Sequence, residues 1–333
     1  MPPKRSLEAK LSRLAELRET PETPELHKEL AKHLTDKSAH VVARAAAVVD
    51  ARKIEPLAKD VEAQFERFMV DPIKLDKGCI AKTAIVTCLA SLEQGSAEIF
   101  LKGLRHIQLE PSFGGPVDTA VELRSQSAFG LPSTGYPDTV LELTTALADE
   151  AYPVRQAAVR ALSAFGRLEV EPLLRLKALH GDPEPQVLSE TLEALLVLSP
   201  ERSVAFVERY LDASDDAVAE AAVLALGASR CEGAFELLTS RLDGSFTRSS
   251  LTRTVLLAIG MLRREDAIAF LMNVVTVGPR RRAADALRAL AIHRYDEALS
   301  ERVASAVAAR AEDDLRELYE KEFSVEREGS AQE

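Results

Sequence analysis

The sequence predicts an all-α array of about eight stacked helical pairs with a capping helix at each end. Three observations predict it. Tyr136–Gly166 reads as two short amphipathic helices joined at Ala148-Asp149-Glu150. The apolar spacing of the second of these helices recurs along the chain. Ala and Leu dominate a composition with 5% aromatics and no Trp, which favours close helix packing over sheets. One such pair cannot close a core alone; copies of the pattern supply the missing neighbours.

Met1–Ser6 is polar and expected to be disordered. Leu7, Leu11, Leu14 and Leu17 form an i, i+3/i+4 stripe for an N-terminal capping helix, so residues 1–22 read as tail and cap. Thr23-Pro24-Glu25 starts the array at residue 23, with a capping hydroxyl, a proline at the first helical position and an acid at the positive helix end. The template trio is Val154/Val159/Leu162. Upstream copies are Val41/Ala46/Val49, Ile80/Ile85/Cys88 and Val121/Gln126/Phe129. Downstream copies are Val187/Leu192/Leu195, Val218/Val223/Leu226, Leu251/Leu256/Ile259 and Arg282/Leu287/Leu290. Most anchors follow an acid, namely Asp36, Asp76, Asp118, Asp149, Asp182, Asp215 or Asp243, which can accept from the free N–H groups of the helix behind it. An apolar first helix precedes each trio, as with Leu26/Leu30/Leu34 and Leu57/Val61/Phe65/Phe68. The array runs over 23–292. Residues 293–323 read as a C-terminal capping helix through Val303, Val307, Leu315 and Leu318, and 324–333 as a disordered tail.

Asp149…Val154-Arg155-Gln156-Ala157-Ala158-Val159-Arg160-Ala161-Leu162 resembles HEAT repeats, in particular the short bacterial type named after phycobilisome lyases. The resemblance covers Thr23 to Ile292. It implies a right-handed α–α superhelix, and a structural hydrogen-bonding role for Asp149 and Arg155 between turns. It does not select an activity, because such arrays serve as scaffolds, adaptors and occasional enzymes. The His-Glu dipeptides that carry iron in the HEAT-fold deoxyhypusine hydroxylases are absent here, and so is the basic, Trp-bearing face of HEAT-like DNA glycosylases.

Charge and cysteines narrow the function further. The net charge of -11 weighs against a general nucleic-acid or anionic-membrane binder. No apolar run approaches the ~20 residues of a membrane span. Cys79 and Cys88, read on one helix, would stand roughly 13–14 Å apart, beyond disulfide reach. With Cys231 they suit a reducing, cytoplasmic setting. No phosphate loop, nucleophile elbow or paired-cysteine metal motif occurs, so neither cofactor nor metal is expected.

Breaks in a repeat are where function is sought. The largest is the insertion between Leu104 and Val121, with Gly114-Gly115 at its centre. Arg105, His106, Glu110, Asp118 and Arg124 could form a pocket there for an anion or a peptide terminus. The competing reading is an ordinary loop with Phe113 tucked into the core. The second break is Arg280-Arg281-Arg282 at a helix start, suited to phosphate or carboxylate but opposed by the helix dipole. Its competing reading is a surface balanced by carboxylates such as Asp285. The reading that results is a scaffold binding another protein or peptide segment along a concave face, with Lys82, Arg124, Gln156 and Glu190 toward the partner. The alternatives are an enzyme or lyase-type subunit centred on 105–124, and anion or nucleic-acid binding at 280–282. Oligomeric state is open at this stage.

Overall fold

A computed structural model describes residues 4–243, 249–310 and 312–323. The expected tail at 324–333 and the Asp243 cap lie outside the residues and side chains described. The chain divides into two compact units, 1–166 and 167–333.

The first unit contains α1 (Lys4–Glu19), α2 (Pro24–Leu34), α3 (Ala39–Ala51), α4 (Ala58–Glu62), α5 (Phe65–Met69), α6 (Pro72–Leu75), α7 (Ile80–Ser91) and α8 (Ala97–Leu104). A two-residue ladder follows, β1 (Leu109–Glu110) antiparallel to β2 (Val117–Asp118), then α9 (Val121–Gly130), α10 (Thr139–Ala146) and α11 (Tyr152–Phe165). Its inner row is α1, α3, α7, α9 and α11, each packed on the next. The outer helices α2, α4 with α5, α8 and α10 each back one member of that row.

The second unit repeats the scheme. It contains α12 (Glu171–His180), α13 (Pro185–Leu198), α14 (Pro200–Leu211), α15 (Asp216–Ser229), α16 (Ala234–Asp243), α17 (Ser249–Met261), α18 (Glu265–Val277), α19 (Arg280–Leu290), α20 (Glu297–Arg310) and α21 (Asp313–Phe323). Its inner row is α13, α15, α17, α19 and α21, backed by α12, α14, α16 and α18. The C-terminal cap is therefore two helices rather than the single one expected. Asp313 and Asp314 open the second, where acids favour a new helix start. Among the described residues no helix is long and apolar enough to cross a membrane.

The turn acids act as the sequence predicts. Asp36, Asp118, Asp149, Asp182 and Asp215 each accept from the backbone N–H two residues later, at 2.8–3.0 Å. Asp76 reaches further, to the N–H groups of Ala81 and Lys82. Thr23 caps α2 through the Leu26 N–H. The helix ends are closed by a device the sequence does not announce. Arg52 donates to the Leu17, Arg18 and Thr20 carbonyls behind α1. Arg67 serves Leu34, Thr35 and Asp36 behind α2, and Arg310 serves Val275 and Gly278 behind α18. A guanidinium there satisfies orphan carbonyls and complements the negative helix end.

Predicted anchors are exposed in α7, α9 and α19. In α19 Arg282 is exposed while Leu287 and Leu290 are buried. In α7 Ile80 is exposed while Ile85 and Cys88 are buried as expected, and the set buried throughout is Ala81/Val86/Leu89, one residue on. Around α9 it is Leu123/Ala128/Leu131, two residues on, with Phe129 exposed. Lys82 and Arg124, expected to face a partner, consequently sit just behind the buried anchors and are themselves buried.

Candidate interaction site

The insertion after α8 is a hairpin, and its polar groups turn inward. Glu110 Oε1 accepts from the Gly78 N–H at 2.6 Å, from Gln108 Nε2 at 2.7 Å and from the Thr119 hydroxyl at 3.0 Å. Gln108 Nε2 also donates to the Asp76 carbonyl at 2.9 Å. Burial alone would raise the Glu110 carboxyl; these donors outweigh it and hold the group below the usual carboxylate range. The hairpin is thereby fastened to the segment between α6 and α7.

Arg124 forms the next layer. Its Nη1 donates to Asp118 Oδ2 at 2.7 Å and to the His106 carbonyl at 3.0 Å, while Nε and Nη2 grip Asp149 at 2.9 and 3.1 Å. The fork joins the turn acid of its own repeat to that of the next, a bidentate geometry only Arg provides. Asp118 is pushed up by burial, but the Ala120 N–H, Arg124 and the Gln108 N–H pull it net downward. Arg155 repeats the position of Arg124 and donates to the Asp149 and Glu150 carbonyls. One repeat earlier, Lys82 pairs with Asp76 at 3.1 Å, both fully buried.

The five residues expected to share a pocket therefore separate. Glu110, Asp118 and Arg124 are committed to bonds within the fold. Arg105 and His106 face a groove of about 600 Å³ with an apolar floor of Met69, Ala97, Leu101 and Tyr136. Arg105 pairs with Glu142 across the rim, and Lys102 pairs with Glu66 and Glu98. His106 is held below its ordinary pKa first by burial and further by the charges of Lys82 and Arg124, against a raising bond to Gln108. That environment favours its neutral imidazole. Glu110 does not line this groove. Met69, Leu101, Lys102 and Tyr136 escaped the sequence reading because they lie in ordinary repeat positions; the i, i+4 pair Glu98–Lys102 is the one signal they carry.

Phe113 does not tuck into the core. It stands fully exposed at the hairpin tip, with Ile107, Leu109 and Val117 also exposed. In the second unit, Arg280 pairs with Asp314 at 2.6 Å and Glu312 at 3.9 Å. Arg282 donates to the Leu242 carbonyl, and Asp285 pairs with Arg288 instead. Acids of the C-terminal cap thus offset the charge at that helix start. Among the described residues no group of three or more His, Cys, Asp or Glu could hold a metal ion, and the three cysteines are buried and free.

A family model described as HEAT repeats matches residues 172–252. No curated protein matches the sequence. Among solved structures, the chain is similar to the complex of CpcE and CpcF of phycocyanin lyase from Nostoc sp. PCC7120, at 17% identity over 87% of this chain and 95% of that one, with a TM-score of 0.36. It is similar to the E. coli protein YibA at 15% identity, 84% and 95% coverage and a TM-score of 0.45. It is similar to human deoxyhypusine hydroxylase in complex with glycerol at 14% identity, 87% and 91% coverage and a TM-score of 0.29. At such scores these likenesses carry nothing about activity or partner. Residues 172–252 thus match HEAT repeats, and the same helical pairing recurs in each unit.

Proposed function

We propose that this chain is a protein-interaction scaffold that holds an extended partner segment along its helical array, anchored at the groove beside α8. One observation carries the reading: an apolar floor ringed by charged side chains, held by rigid helices, with no convergent catalytic pair beside it. An apolar side chain of the partner fills the floor, and its polar backbone meets Lys102, Arg105 and the rim carboxylates. Because the groove is preformed, little ordering cost opposes binding. Gln156 on α11 and Glu190 on α13 are half-buried, and neither lines this groove.

The enzyme reading requires His106 and Glu110 to converge on one cavity. Glu110 is spent on Gly78, Gln108 and Thr119, so that reading has no support from the geometry. The test is affinity capture with the wild-type chain and a Leu101→Glu/Arg105→Glu variant that folds normally by circular dichroism. A stoichiometric partner held by the wild type and released by the variant is expected. A partner held equally by both would remove the groove from the proposal.

A further inference from the structure

We propose that the groove along α8 and the apolar hairpin beside it are two halves of one self-complementary interface, on which a second copy of this chain docks. This rests on reading the groove as a binding surface and names its occupant.

The apolar half lies on two segments bonded to each other. Phe113 leads it from the hairpin tip, with Leu109 and Val117 behind. Val70, Ile73 and Leu75, also exposed, extend it across the adjoining segment. Glu110 on the Gly78 N–H and Gln108 on the Asp76 carbonyl lock the two segments together. Exposed apolar side chains gathered on two joined segments are a mark of an interaction surface.

The receiving half is its immediate neighbour. Met69 lines the groove and Val70 begins the patch; His106 lines the groove and Ile107 begins the hairpin. A two-fold interface needs this arrangement, because one surface must present both the projecting and the receiving part. The groove, about 600 Å³, has room for the Phe113 ring.

The charges match in the same sense. Lys74 and Lys77 are exposed in the patch against one exposed carboxylate, Asp71, a net excess of one cation; Lys77 also acts on Glu110 within its own chain. The groove rim carries Glu66, Glu98 and Glu142 against Lys102 and Arg105, an excess of carboxylate. Docked reciprocally, each copy brings its lysines to the other's rim, which favours this pairing over other associations.

The test is sedimentation velocity of the full chain across a wide concentration range. The wild type is expected to dimerise in the micromolar range, and Phe113→Asp to weaken dimerisation by about tenfold or more. That side chain makes no contact within its own chain to lose. Two charge-reversed chains, Lys74→Glu/Lys77→Glu and Glu66→Lys/Glu98→Lys, should each self-associate poorly. Mixed together they should recover the dimer, because every facing pair is again opposite in sign. A wild type that stays monomeric, a Phe113→Asp chain that dimerises undiminished, or a mixture no better than its components would overturn the proposal. A monomeric chain that still releases its captured partner on the Leu101→Glu/Arg105→Glu change would refute this docking and leave the scaffold reading standing.

Discussion

Replacing Arg124 by Leu tests the proposition that the largest break in the array is bonded as fold structure. Arg124 makes four hydrogen bonds, to Asp118, to the His106 carbonyl and twice to Asp149, with 5% of its side chain exposed. Removing one partner of a buried ion pair costs about 3–5 kcal/mol. Asp118 and Asp149 keep 22% and 17% exposure, and each retains a backbone N–H donor, so the low end applies, about 3 kcal/mol. The pH dependence gives a second check. Asp118 is depressed in the folded state, so its stabilisation is complete above the unfolded value of about 3.9 and is lost as pH falls through the lower folded value. Without Arg124 that depression shrinks, and protonation relieves the stranded Asp118 carboxylate. The deficit of Arg124→Leu should therefore be largest near neutral pH and narrow as pH falls below about 4. Arg124→Lys, which keeps charge but loses the fork, should fall between. Urea denaturation at both pH values measures the deficit, and hydrogen exchange in α9 and α11 locates it. A deficit under about 1 kcal/mol, which is the scale of a surface pair, or one unchanged by acid, would refute the reasoning.

Four further outcomes follow from the packing and the charges. Lys82→Met strands the fully buried Asp76 and should cost about 3–5 kcal/mol in urea melts. Arg105→Ala breaks an exposed pair with Glu142 and should cost less than about 1 kcal/mol in the same assay. A Cβ at Gly227 would lie 2.7 Å from the Ala258 Cα and carbonyl oxygen, backbone that no rotamer change can move; Gly227→Ala should lose about 1–3 kcal/mol. Burial pushes the Cys79 thiol up to about 11 and Cys88 up to about 12, so neither should react with a disulfide reagent near pH 8 until the chain unfolds. Rapid labelling of either in the native protein would contradict the packing around α7.

Helical pairing, turn acids and the approximate period were legible in the sequence because they depend on local chemistry: apolar spacing, an Asx acceptor at a turn, a proline after a cap. Register was less legible, and the reason is specific. In α7 the innermost anchor is Ala81, and in α9 the anchor+5 position is Ala128; both are too small to stand out in an apolar pattern beside Ile80 or Phe129. The reliable marker was polar. Asp76/Ala81/Lys82, Asp118/Leu123/Arg124 and Asp149/Val154/Arg155 share one spacing, an acid, an anchor five later and a cation directly behind it. A pattern anchored on Ile80 and Val121 hides that Arg155 is one of three such cations, with Lys82 and Arg124. The arginines that close helix ends across repeats were not legible at all, since their carbonyl partners lie some 30 residues away in sequence.

The hairpin inverts the usual arrangement of a surface insertion, and the proposed docking follows from the inversion. An insertion into a packed array brings backbone N–H and C=O groups that need partners wherever it covers its neighbours. Glu110, Gln108 and Asp118 supply those partners, which is why the polar residues that look like a site in the sequence are consumed in holding the loop down. What remains outward is what the fold does not need, Phe113, Leu109 and Val117. Side chains of that kind gain nothing from water and give up nothing structural when covered, so the energy for association is concentrated there. A polar network beneath and an apolar face above together give a stiff surface, and a stiff surface binds without first having to be ordered.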